Sequence, residues 1–167
     1  VLRLLFTRRW LGYLALTVTF AVIASLFGMW QWDRRGQAVA AIEKVNANYD
    51  QAPVALSTEL SAGSLDADAR EWVPVSLTGT YLTEEQVLVR TRPRSGEVGF
   101  EVLVPFVSTE ATVVVNRGWI PTGESQDDPD QVPAAPTGEI NLVARIKPSE
   151  PLIPGRGAPE GQIASIH

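Results

Sequence analysis

From Trp10 to Trp32 the chain carries no charged side chain. The run reads WLGYLALTVTFAVIASLFGMWQW, with Arg8-Arg9 before it and Asp33-Arg34-Arg35 after it. A helix needs about 20 apolar residues to cross the hydrocarbon core of a bilayer, so this length suits a transmembrane span. Trp10 and Trp30 stand twenty positions apart, about 30 Å at about 1.5 Å per residue. With Tyr13 and Trp32 they mark the two levels where interfacial aromatics belong. A core helix apolar on every side does not suit so small a domain. A cleaved signal peptide has an apolar region of about 7–15 residues and small residues at its cleavage site. This run is longer and ends in the bulky Gly28-Met29-Trp30-Gln31-Trp32. The sequence therefore predicts a permanent anchor. Arg3, Arg8 and Arg9 precede it and Arg34, Arg35 and Lys44 follow it, so the basic count is level and leans only weakly to an N-terminus inside.

The remaining composition narrows the chemistry. The 167 residues suffice for one domain with its own core beside the anchor. A net charge of -5 disfavours a protein that grips phosphate backbones, so nucleic acid is not expected as a partner. There is no cysteine, one methionine (Met29) and one histidine (His167). Thiol redox chemistry, a cysteine nucleophile, a zinc finger and copper delivery through soft ligands are thereby excluded from this chain.

Beyond the anchor, Arg34 to Asp50 has helical composition, with Val39, Ile42 and Val45 as a narrow apolar stripe and Pro53 as its end. Residues 57–70, which include Gly63, read as a short helical turn and a loop. Five strand-like runs follow: Glu71–Tyr81, Gln86–Arg92, Gly99–Val107, Thr112–Trp119 and Gly138–Lys147. Turn formers at 93–96 and 108–111 mark hairpins. The expected fold is α+β, with a transmembrane anchor over 1–33 and a juxtamembrane helix over 34–50. An antiparallel sheet or partly closed barrel then fills 51–167. Pro121–Pro136 and Pro148–Pro159 read as loops or extended connectors.

Three features are candidates for sites. The carboxylates of Glu124–Asp130 could gather a hard cation, but their spacing matches no EF-hand and Pro129 interrupts them, so a solvated loop is the better reading. Arg90, Arg92 and Arg94 alternate, which places them on one face to meet an anionic group or to form ion pairs at the domain edge. Gly118, after Asn116-Arg117, permits a tight bend at a strand end, and Trp119 packs either on the domain or at the membrane surface. No catalytic constellation is visible. His167 is the only imidazole, and Asp66 and Asp68 lie in polar sequence that would not raise a carboxyl pKa, so no enzyme is expected.

Three blocks together resemble the Surfeit-locus-one family of cytochrome c oxidase assembly factors. The first is Gly28-Met29-Trp30-Gln31-Trp32-Asp33-Arg34, similar to the family's G-x-W-Q-x-x-R. The second runs from Gly79-Thr80-Tyr81 through Val89-Arg90-Thr91-Arg92-Pro93 and Gly96-Glu97-Val98-Gly99-Phe100 to Val104-Pro105. The third, Val113-Val114-Val115-Asn116-Arg117-Gly118-Trp119-Ile120-Pro121, is similar to V-N-R-G-W-I-P. The resemblance covers most of residues 5–150. It implies a cytoplasmic (or matrix) N-terminus and a β domain on the opposite side of a bacterial plasma membrane or mitochondrial inner membrane. It also implies cytochrome c oxidase subunits, or a larger respiratory supercomplex, as partners, with haem a as a transient contact. Family members end with a second transmembrane helix, so this sequence is expected to be part of a longer two-span protein. No motif around His167 matches the family's haem-ligand histidine, and that role is not carried over. The residues expected at a partner surface are Trp30, Gln31, Arg34, Arg90, Arg92, Asn116, Arg117 and Trp119. The competing expectation is a membrane-tethered envelope module that binds a ligand or scaffold unrelated to respiration.

Overall fold

The computed structural model describes residues 7–61, 66–125, 127–152 and 154–166. Arg3, Gly63 and His167, which entered the sequence reading, lie outside the described residues. The chain divides into two units, Val1–Asn46 and Ala47–His167.

The first unit is almost wholly one helix, α1, which runs over 41 residues from Arg8 to Asn48 and ends just inside the second unit. The stretches expected as anchor and juxtamembrane helix are thus one element. No proline interrupts the sequence between them, so nothing forces a break near residue 33. None of the helix is buried, yet it exposes Phe20, Leu26, Phe27, Met29, Trp30 and Trp32. Its length and apolarity are enough to cross a membrane. The hydroxyls within the uncharged run find partners on the helix itself. Thr17 Oγ1 donates to Tyr13 O at 2.9 Å and Ser25 Oγ donates to Ala21 O at 2.8 Å, as a lipid setting would demand.

The helix stops five residues before Pro53. Side chains rather than the proline end it. Gln51 Nε2 donates to Ala47 O at 2.9 Å, and the Arg145 guanidinium donates to Tyr49 O from Nε at 3.2 Å and Nη2 at 3.1 Å. These bonds satisfy carbonyls that a helix end leaves open.

The second unit is built on a seven-stranded mixed sheet. Its elements in order are β1 (Val54–Ala55), α2 (Leu56–Ser61), β2 (Pro74–Tyr81), a 3₁₀ turn (Thr83–Glu85) and β3 (Val87–Val89). Then come β4 (Gly99–Ser108), β5 (Thr112–Pro121), β6 (Ile140–Arg145) and β7 (Gln162–Ile163). Strand β2 is antiparallel to β6 and, at its end, to β4, while β4 is antiparallel to β3 and β5. The sheet is not wholly antiparallel as expected, because the two-residue strands β1 and β7 join β2 and β3 in parallel. Both arrive after long connections, which allow parallel pairing where a tight hairpin would not. Among the described residues β5 pairs only with β4 and β6 only with β2, so no ladder closes the sheet into a barrel.

Both expected hairpins form. At 94–97, Arg94 and Glu97 exchange backbone bonds of 2.8 and 3.0 Å, with Ser95 and Gly96 at φ 53° and 90°. Positive φ at both central residues suits the twist of a two-residue hairpin. The turn at 108–111 is tied by Ser108, whose Oγ accepts from the amides of Glu110 and Ala111.

The core gathers Leu56, Val73, Val75, Leu77, Phe106, Val115 and Ile146. Strand β4 is buried along most of its length, with Val104 and Phe106 at 0% exposure. Tyr81 meets Phe106 edge-on at 4.9 Å. Gly79 lets β2 and β4 approach: a Cβ there would stand 2.0 Å from Val107 O.

Candidate functional site

The three arginines after β3 do not share one face. The strand ends at Val89, and Thr91 turns to φ 60°, a conformation that breaks the alternation of an extended chain. Their side chains meet three different surroundings. Arg90 Nη2 lies 3.8 Å from Asp127 Oδ1. Arg94 holds its guanidinium 5.9 Å from the ring centre of Trp119, within reach of a cation–π attraction.

Arg92 is the most deeply committed. Its Nη2 donates to Glu150 Oε2 at 2.6 Å, and its Nε lies 3.5 Å from Glu101 Oε2 without a hydrogen bond. Glu101 also accepts from Asn116 Nδ2 at 3.0 Å, and Glu150 accepts from the amide of Ile166 at 3.1 Å. The result is one polar chain running Asn116, Glu101, Arg92, Glu150, Ile166. The Arg92 hydrogen bond holds the Glu150 carboxyl below the usual carboxylate range, against the opposing effect of burial, with the Ile166 amide helping. The same bond to Glu150 raises Arg92, again against burial, and the nearby charges of Glu101 and Glu150 add to it. These are charge-assisted contacts inside the domain.

Trp119 packs on the domain. Its indole N–H donates to Arg92 O at 2.7 Å, and its ring lies so close to Gly99 that a Cβ there would fall 2.4 Å from Trp119 Cε2. The bend at Gly118 sits inside β5 rather than at its end. Two residues, Arg117 and Gly118, oppose the single Val102 of β4, because Glu101 pairs with Trp119 and Leu103 with Asn116. This is a β-bulge, with Gly118 at φ 119° and its amide bonded to Asn116 Oδ1 at 2.9 Å. From within the bulge, Arg117 donates from Nη1 to Pro133 O at 2.8 Å and from Nη2 to Ala134 O at 3.0 Å. Its guanidinium lies 5.8 Å from the Tyr81 ring centre. The described residues of the proline-rich connector that it grips carry no strand, yet Ala135 among them is buried.

The acidic loop is also tied down by its own side chains. Asp128 Oδ1 accepts from Gln162 Nε2 at 2.8 Å and Asp130 Oδ1 from the amide of Glu124 at 3.1 Å. Gln126 lies outside the described residues. Among the described residues no group of three or more His, Cys, Asp or Glu could hold a metal ion.

Of the eight residues expected at a partner surface, the structure brings Arg92, Asn116 and Trp119 into one network, with Arg90 and Arg117 anchored beside it. Trp30, Gln31 and Arg34 are exposed on α1. There Trp30 and Arg34 are four residues apart and so share a face. Sequence reasoning missed Glu101 and Glu150, the acids that engage Arg92. The signal for Glu101 was a carboxylate inside a buried apolar strand, which calls for a partner. Glu150 had none, since its pairing depends on where a proline-rich segment returns.

A family model for the SURF1 family matches residues 18–166. The chain belongs to the SURF1 family. It is similar to a SURF1-like protein of Mycobacterium bovis, with 32% identity over 149 residues, 88% of this chain and 55% of that protein. Surfeit locus protein 1 of Xenopus tropicalis is 24% identical over 167 residues, 87% of this chain and 51% of its own length. The cytochrome oxidase assembly protein SHY1 of Saccharomyces cerevisiae is 28% identical over 109 residues, 64% of this chain and 28% of its own length. The chain thus spans about half the length of the first of these relatives. In this SURF1 family member the second and third sequence blocks interlock: Arg92 meets Trp119, and Tyr81 meets Arg117. Haem iron takes axial ligands such as imidazole or thiolate. The described residues carry neither, the one histidine being His167, while Met29 and the tyrosines are of types that also ligate haem iron.

Proposed function

We propose that this chain is an assembly factor or retained accessory subunit of a haem-a-containing cytochrome c oxidase, acting by protein–protein contact in the respiratory membrane rather than by catalysis. The family match over residues 18–166 carries this reading, because a matched relative is named as a cytochrome oxidase assembly protein. The unburied apolar surface of α1 supports it. Such a surface is stable against lipid or against another membrane protein, and not against water. Ile23, Phe27, Trp30 and Arg34 fall on one stripe of that helix. Trp30 and Arg34 close the stripe at the level of the headgroups, where an aromatic ring and a guanidinium can meet a partner helix or a propionate. In this reading α1 spans a bacterial plasma membrane or mitochondrial inner membrane with its N-terminus on the cytoplasmic or matrix side. The β unit then works on the opposite side, with the oxidase alone or within a larger supercomplex.

The test is purification of the tagged protein in mild detergent, followed by mass spectrometry and a reduced-minus-oxidised spectrum. Stoichiometric oxidase subunits with a haem a signal identify a retained subunit, and trace amounts identify a transient factor. Purification without oxidase, under conditions that keep the oxidase intact, favours the unrelated envelope module instead. Arg34→Ala narrows the surface: association should weaken while the β unit stays folded, and unchanged association removes Arg34 from the contact.

A further inference from the structure

Among the described residues three non-glycines hold a positive φ: Ser95 in its hairpin, Thr91 after β3, and Trp72 at 72°. The left-handed region crowds a side chain against the backbone, so a bulky residue persists there only where its surroundings hold it. Glycine or asparagine would make the same turn at lower cost. What needs explaining is the indole.

Two backbone bonds frame the turn. The Trp72 amide donates to Ile146 O at 2.8 Å, and the Val73 amide donates to Arg70 O at 3.1 Å. The side chain projected from this backbone meets the residue that follows α1. Tyr49 and Trp72 have ring centres 6.1 Å apart, inclined at 48°. Beside them Asn48 Nδ2, in the last residue of α1, donates to Glu71 O at 2.8 Å. Arg145 adds its two bonds to Tyr49 O, and its guanidinium lies 3.6 Å from the Tyr49 ring centre. Lys147 Nζ lies 4.5 Å from the Trp72 ring centre, and the same charge helps to hold the Glu150 carboxyl low.

Three stretches distant in sequence thus converge, at 48–49, 71–72 and 145–147, and all lie in the second unit. Trp72 holds the middle place, touching Tyr49 on one hand and Lys147 on the other. The residues from 49 to 53 form neither helix nor strand. Without such contacts a helix end followed by an irregular segment frays. We propose that Trp72 is a positioning residue, kept on a strained backbone so that its indole locks the end of α1 to the turn before β2, and that contact with the oxidase requires this lock. The requirement rests on the assembly reading, whereas the lock itself does not.

The test uses the full chain in detergent micelles and residue-resolved amide hydrogen exchange. Trp72→Asn removes the ring and relieves the backbone. Amides at 48–51 should then exchange about tenfold faster, while those of Leu77 and Phe106 in the sheet keep their rates. Trp72→Phe keeps both a ring and the strain, and should stay within about twofold of the parent. Tyr49→Leu should reproduce the rise without touching the strained residue. The double variant should exchange no faster than Trp72→Asn alone, as two residues of one contact require. Unchanged exchange at 48–51 in Trp72→Asn, or effects that multiply in the double variant, overturns the lock. Should Trp72→Asn fail to fold, Tyr49→Leu decides alone, and unchanged exchange in it overturns the lock. In the mild-detergent purification, Trp72→Asn should recover several-fold less oxidase than the parent at equal membrane levels, and Trp72→Phe should restore it. Equal recovery by Trp72→Asn overturns the requirement. A parent that recovers no oxidase overturns the assembly reading and the requirement with it, while exchange still decides the lock.

Discussion

Arg92 donates to Glu150 at 2.6 Å across 58 residues of sequence, and so ties the turn after β3 to the last part of the described chain. Glu150 passes the connection on: its backbone amide donates to Ile166 O at 2.5 Å and its carboxylate accepts from the Ile166 amide at 3.1 Å. The pair fixes the path of a segment whose sequence is rich in proline and glycine and whose described residues form only the two-residue strand β7.

Glu150→Gln tests the electrostatic part of that tie. The Glu150 carboxyl is held below its ordinary value near 4.5 by Arg92, so its contribution is full above that value and fades as pH falls through the lowered one. The glutamine can still accept from Ile166 but carries no charge. The pair is partly exposed, and solvent screening limits its worth to about 1 kcal/mol. The variant should lose about that much in urea unfolding at pH 7, and the gap should close in acid below about pH 4.5. A gap that is constant with pH would assign the loss to packing.

Close backbone approach predicts a sharper effect at two glycines. A Cβ at Gly79 would meet Val107 O at 2.0 Å, and one at Gly99 would meet Ile120 O at 2.3 Å. Neither obstacle is a flexible side-chain tip, so the strands must part. Gly79→Ala and Gly99→Ala should each cost on the order of 3 kcal/mol. Gly157→Ala, with nothing within 4 Å of its Cβ, should stay within about 0.5 kcal/mol of the parent. Thermal unfolding of the three variants side by side checks the ranking.

Trp119 separates packing from hydrogen bonding. Trp119→Phe keeps a ring over Gly99 but loses the donor to Arg92 O, and should cost about 1 kcal/mol. Trp119→Ala also removes the ring, and for a half-buried indole should cost about 3 kcal/mol. Equal losses in chemical denaturation would show that the ring itself contributes little.

What the sequence revealed follows the physics of each segment. The helix through the uncharged run from Trp10 to Trp32 was legible because one property, apolarity over a sufficient length, marks it as long and apolar enough to cross a membrane. Strands β2, β4, β5 and β6 were legible from β-branched and aromatic runs between turn formers. Strands β1 and β7 were not, since two residues carry no periodicity and exist only because a distant strand offers an edge. The arginines after β3 misled for a local reason: alternation assumes extended backbone, and Thr91 leaves it. The motif residues Arg92, Asn116, Arg117 and Trp119 were found by pattern, whereas their work inside the domain depends on contacts that arise only on folding. Glu150 and the carbonyls of Pro133 and Ala134 supply those contacts.

Arg117 shows how one such contact can be tested. Its guanidinium reaches the carbonyls of two successive residues, Pro133 and Ala134, and lies over Tyr81. A planar fork can make both bonds together, while a lysine amine has neither the reach pattern nor the flat face. Arg117→Ala should therefore cost about 1–2 kcal/mol, and Arg117→Lys should restore less than half of it. The loss should be local as well as global. With its grip gone, the connector at 131–136 should be cut by thermolysin several times faster under native conditions, while sites within β4 stay resistant. If cleavage rises everywhere in parallel, Arg117 stabilises the whole sheet through the bulge. If it rises only in the connector, Arg117 acts as the tie that keeps a strandless segment on the domain and the edge of β5 covered.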